Sequence, residues 1–111
     1  MLYQKYPTAA LRLISRADWR PYPTLEDRDA WAALPEPVRA ACLADGEAAL
    51  EEAWPVLLAT RYLDFARDGN RTRYQNPYYV RRNKLAALVV AECVEGQGRF
   101  LDEIVNGIWL I

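Results

Sequence analysis

Asn76-Pro-Tyr-Tyr-Val-Arg-Arg-Asn-Lys-Leu-Ala-Ala-Leu-Val-Val-Ala-Glu-Cys-Val-Glu-Gly96 is the stretch on which the fold turns. Asn76 offers a capping side chain, and Pro77 has the fixed φ of a first helical position, where a missing N–H is harmless. Gly96 and Gly98 supply the stop. This spacing predicts a helix over 78–94. Within it, residues 85–91 are apolar on every face, and a helix without a polar side has to be surrounded by others. The segment therefore reads as the central helix of an all-α packing.

Working upstream, Asp68-Gly69-Asn70 closes a segment over 56–66 in which Leu57, Leu58, Arg61, Tyr62 and Phe65 fall at helical spacing. From Pro37, the recurrence of Val38, Ala41/Cys42, Ala49 and Ala53 predicts a helix to about Ala53, which Gly46 could divide in two. Thr24 as a cap, acids in the following turn, and Trp31 with Leu34 on one face predict a short helix near 25–34, stopped by Pro35. Downstream, residues 99–111 place Phe100/Leu101, Ile104/Val105 and Ile108/Trp109 on one stripe.

After Ile111 there is no capping glycine, C-terminal base or polar tail. The expectation is one helical domain over 1–111, the N-terminal fragment of a larger one whose next helix covers the stripe. The alternative is a complete protein that covers it as a homodimer through Phe100, Ile104 and Ile108. Helices of this length joined by short turns suggest antiparallel hairpins in a partial (α/α) toroid-like array.

Composition narrows the functional classes. The chain of 111 residues, 52% apolar and 26% charged, suits one folded core and makes disorder a poor reading. Its longest apolar run, residues 85–91, is far short of the roughly 20 residues that cross a bilayer, so no membrane partner is expected. Residues 1–8 lack the charged start and apolar stretch of a secretory leader, which makes the cytoplasm the default location unless a leader has been removed. There is no histidine, and Cys42 and Cys93 lie far apart in apolar, helix-like stretches. A zinc site and a histidine-based catalytic triad are thereby excluded, and no cofactor or metal is expected. The cysteines read as buried free thiols.

The net charge of −1 conceals segregation: +3 over residues 1–17, −6 over 18–64, +5 over 65–84 and −3 over 85–111. Twelve of the fourteen bases are arginine, the residue suited to bidentate recognition of carboxylate or sulfate. In the basic segment arginines interleave with tyrosines, so Arg71, Arg73, Tyr74, Tyr78 and Arg82 are candidate ligand-binding residues for an anionic polymer. The structural alternative pairs the arginines with the chain's many acids and packs the tyrosines between helices. Arg81 and Arg82 in particular are expected to be paired inside the fold. Nucleic acid is an unsuitable ligand for a chain with a pI near 5.4.

The adjacent acids Glu51/Glu52 and Asp102/Glu103 point about 100 degrees apart on a helix and are expected to be solvated, so neither pair forms a catalytic dyad. No catalytic residue is assigned. Trp54 and Trp109 read as core, and Trp19, between Arg16 and Arg20, as exposed.

Gly69-Asn-Arg, Tyr78, Arg81-Arg82, Leu85-Ala-Ala-Leu, Ala91-Glu-Cys93, Gly98-Arg-Phe-Leu-Asp and Ile104-Val-Asn-Gly-Ile-Trp109, with the upstream Trp54-Pro55 and Ala59-Thr-Arg-Tyr-Leu63, resemble the N-terminal helical stretch of heparinase II/III-like proteins. The resemblance is close over residues 50–109 and loose over 20–50. It implies an incomplete (α/α) toroid that in longer relatives precedes a β-rich domain. It also implies polysaccharide lyase activity, the β-elimination of uronic-acid polymers, and hence an acidic polysaccharide as partner. In that family a tyrosine or histidine serves as base and acid, while asparagine or arginine neutralises the substrate carboxylate. The segments that carry those groups in relatives come after the position of Ile111, so the resemblance transfers no catalytic residue to this chain.

Overall fold

The computed structural model describes residues 13–111, and the leader reading of residues 1–8 falls outside them. Five α-helices are present among the described residues: α1 (Arg28–Ala32), α2 (Glu36–Glu51), α3 (Ala59–Asp68), α4 (Thr72–Glu95) and α5 (Leu101–Leu110). There is no strand among them, so the all-α expectation holds. Each of the other four helices packs on α4, the central helix.

α4 begins earlier than its sequence suggests. Asn70 Oδ1 accepts the Thr72 hydroxyl at 3.0 Å and the Arg73 N–H at 3.2 Å, which starts the helix one turn before Asn76. Pro77 consequently lies inside the helix rather than at its start, where it withholds the N–H that would reach the Arg73 carbonyl. At the other end Gly96, with φ 71°, closes the helix as expected. Arg28 donates to the Cys93 and Val94 carbonyls at 2.7 and 2.8 Å, satisfying acceptors the helix end leaves free.

α2 runs unbroken through Gly46. That glycine is buried against α4, and a Cβ there would overlap the Cβ of Ala91. The missing side chain is what allows the close helix contact. Around it lies the core of Ala49, Leu88, Ala91 and Phe100, with Leu43, Leu50, Trp54, Ala87 and Ile104 packed against it. α1 is shorter than the expected 25–34 because Asp27 turns back on Thr24, accepting its N–H at 2.7 Å and its hydroxyl at 3.0 Å.

α5 is anchored through its inner face. Phe100 is fully buried, Ile104 packs on the core, and Gly107 sits under Trp54 and Leu85. The buried Glu92 accepts the N–H groups of Gly98 and Phe100, at 2.7 and 3.2 Å, and so fixes the turn into α5.

Phe100 and Ile104 belong to the core and not to an outer stripe, because these residues, four apart, share the side of α5 and its cap that packs beside Leu88 and Ala91 of α4. Trp109 is 90% exposed rather than core. α4 is not enclosed on all sides: Val89 and Val90 remain partly open to solvent. Glu103 is not a solvated acid, since it accepts from Trp54 Nε1 at 2.7 Å and pairs with Lys84 at 3.2 Å. Trp19 is exposed as read, and both cysteines are free, but Cys42 and Cys93 are only partly buried rather than buried.

Candidate functional site

The site is built by the turn between α3 and α4. Gly69 takes the left-handed conformation, φ 76°, that reverses the chain after α3. Asp68 Oδ1 accepts the Asn70 N–H at 2.9 Å, and Asp68 Oδ2 accepts Arg73 Nη1 at 2.6 Å, so the turn is stitched from both sides. It sets the exposed face of α3, with Tyr62 and Phe65, against the first turn of α4, with Tyr74.

Between them lies a cleft of about 310 Å³ lined by Arg61, Tyr62, Leu63, Phe65, Ala66, Asn70, Arg71, Tyr74 and Gln75. Tyr62 and Tyr74 meet edge to face with centroids 5.3 Å apart. The Arg71 guanidinium lies 4.4 Å above the Phe65 ring, an arrangement that orients the charge without neutralising it. The aromatic row continues along α4. Tyr78 stacks on Tyr74 at 5.9 Å, and Arg82 covers Tyr78 at 4.7 Å.

The candidate residues thus divide. Arg71 and Tyr74 share the cleft, and Tyr78 with Arg82 extends its row of rings. Arg73 is turned away, held by Asp68 at 2.6 Å and Asp64 at 3.4 Å. The hydrogen bonds that Arg73 donates to Asp68 and then Asp64 raise its pKa, while Arg73, then the Asn70 N–H, holds the Asp68 carboxyl below its ordinary value. Arg61 and Arg67 also approach Asp64, each at 3.9 Å. Among the described residues, Arg71 and Arg82 have no carboxylate partner. The expected internal pairing holds for neither Arg81 nor Arg82 in the form of an ion pair: Arg81 donates instead to the carbonyls of Pro55 at 2.7 Å and Leu110 at 2.8 Å.

Sequence reasoning missed Tyr62, Phe65, Asn70 and Gln75 as cleft residues. The spacing of Tyr62 and Phe65 on a helix preceding a glycine turn was visible, but it also fits an apolar face turned to the core, and nothing in the sequence joined Asn70 and Gln75 to them. The cleft lining contains no carboxylate, histidine or lysine. The lining offers ring faces that suit apolar or sugar surfaces, amides that suit hydroxyls, and one guanidinium without a carboxylate partner among the described residues. Among the described residues no group of three or more potential ligands could hold a metal ion, and no helix is long and apolar enough to cross a membrane. No protein-family model matches the chain, and no curated protein matches it.

Proposed function

We infer that the chain is the helical, saccharide-holding part of a heparinase II/III-like polysaccharide lyase, and that alone it binds acidic sugars without cleaving them. The observation that carries this reading is Arg71, oriented over Phe65 and free of a carboxylate among the described residues, beside the Tyr62–Tyr74 pair in one cleft. Tyrosine faces suit the C–H surface of a sugar ring, and a guanidinium fork suits a uronate carboxylate. The resemblance of residues 50–109 to the family's helical stretch, and the all-helical fold centred on α4, support the same assignment.

The test is binding of a uronic-acid oligosaccharide by calorimetry, with Arg71→Ala and Tyr74→Ala as variants. The reading expects measurable binding by the wild type, loss of at least ten-fold in affinity in each variant, and no release of unsaturated uronate. Equal affinity for a neutral oligosaccharide would contradict it. A second reading, a helical protein-interaction module, is favoured by the apolar outer face of α5.

A further inference from the structure

Arg71, Tyr74, Tyr78 and Arg82 stand at i, i+3, i+7 and i+11, a spacing that returns to one side of a helix at every turn. Arg71 already has helical backbone angles as the N-cap of α4, so the row begins with it. Eleven residues at 1.5 Å each set the two arginines about 16 Å apart along the helix axis.

Four tyrosines run between them without a break. Tyr62 meets Tyr74 edge to face at 5.3 Å, Tyr74 stacks on Tyr78 at 5.9 Å, and Tyr78 meets Tyr79 edge to face at 5.3 Å. The middle two rings are half-buried and cover each other, whereas Tyr62 and Tyr79 are 67% and 54% exposed. Each end of the row therefore combines an open ring with a guanidinium laid on an aromatic face, Arg71 on Phe65 at 4.4 Å and Arg82 on Tyr78 at 4.7 Å. Tyr74 joins the two ends: it lines the α3–α4 cleft and also a smaller hollow of about 50 Å³ that Tyr78, Arg82 and Leu57 share with the end of α5.

The charges at the two ends differ from those of their neighbours. Arg73 is held by Asp68 and Asp64, and Arg81 by the carbonyls of Pro55 and Leu110, while Arg71 and Arg82 have no carboxylate partner among the described residues. From Arg71 to Ala91 the helix carries no acid of its own. The row thus presents two separated positive ends with rings between them.

We propose that the row is a two-anion site, along which one extended acidic saccharide places a carboxylate on Arg71 and a second on Arg82, with Tyr62 and Tyr79 against its sugar rings. The proposal rests on the saccharide reading of the cleft and adds a minimum length for the ligand, since a disaccharide is too short to bridge about 16 Å. Once the first carboxylate is seated, the second contact is intramolecular, so affinity climbs when the saccharide reaches Arg82 and not before.

Calorimetry of the full chain with a galacturonate dimer and a galacturonate hexamer, in which every sugar carries a carboxylate, tests it. Arg82→Ala and Arg82→Gln remove the far contact, and Arg67→Ala, an exposed position on α3 outside the row, controls for charge alone. The proposal expects the wild type to bind the hexamer at least about ten-fold tighter than the dimer, the worth of one further charge-assisted contact. Both Arg82 variants should bring that ratio down to the few-fold gain given by the hexamer's greater number of binding registers, and Arg67→Ala should leave it as in the wild type. A wild-type ratio of only a few-fold, Arg82 variants that keep the full ratio, or an equal loss in Arg67→Ala overturns the two-anion site. In those three cases the cleft reading stands if the dimer still binds and loses affinity in Arg71→Ala. Binding of neither oligomer overturns both.

Discussion

Gly46 and Ala91 meet where α2 crosses α4, so closely that a Cβ on residue 46 would overlap that of Ala91 and lie 3.2 Å from the ring of Phe100. The backbone contact at this point determines how near the two longest helices pack. Gly46→Ala would raise intrinsic helix propensity by about 1 kcal/mol, yet the overlap forces the helices apart. The expected outcome is net destabilisation of about 1–3 kcal/mol by urea unfolding, in the range for overpacked cores.

Glu92 is 4% exposed and accepts two backbone N–H groups at the entrance to α5. Glu92→Ala leaves both donors without their acceptor, and the expected loss is about 2–3 kcal/mol of stability. Hydrogen exchange should report faster exchange at Gly98 and Phe100 than at the centre of α4.

Part of the acid sensitivity should trace to Glu103. Its carboxyl is held below the ordinary glutamate range by the hydrogen bond from Asn106, then by those from Trp54 and Lys84. A carboxylate with a lowered folded pKa contributes its full stabilisation above its unfolded value, about 4.3, and loses it as pH falls through the lower folded value. Thermal unfolding between pH 7 and pH 3 should therefore show a decline below pH of about 4.3 that is shallower in Glu103→Gln. Equal acid slopes in the two proteins would contradict the assignment.

Lys84 has a side chain only 1% exposed, donating to the Glu52 carbonyl, paired with Glu103, and lying 4.4 Å over the Trp54 ring. It ties the α2–α3 connection and α5 to the middle of α4. Lys84→Ala should cost about 3–5 kcal/mol, the penalty of breaking a buried charged contact, while surface Arg82→Ala should leave stability nearly unchanged. Parallel denaturant titrations compare the two.

The helices were legible because their punctuation is local. Gly69 and Gly96 end helices where glycine alone adopts the required φ, and Pro37 opens α2. The start of α4 was not, because the turn held by Asp68 and Asn70 starts the helix a turn ahead of Asn76, and that turn depends on hydrogen bonds the sequence does not display. Which side of α5 faces inward was equally hidden. Phe100 and Ile104 share apolar character with Val105, Ile108 and Trp109, and the choice depends on the Glu92 turn and on Gly107 under Trp54. Of the candidate binding residues, the Arg–Tyr segment was visible as composition. The division between Arg71 and Arg73 was not, since it depends on where Asp64 and Asp68 fall across the α3–α4 turn.

That division carries the functional account, and chemical-shift mapping of the isotope-labelled chain against a uronic-acid oligosaccharide tests it most directly. The account predicts saturable shifts confined to Tyr62, Phe65, Asn70, Arg71, Tyr74 and Gln75, extending to Tyr78 and Arg82 for longer oligosaccharides. These shifts should be abolished in Arg71→Ala and retained in Arg73→Ala. Shifts centred on Asp64, Asp68 and Arg73, or none at millimolar oligosaccharide, would contradict it.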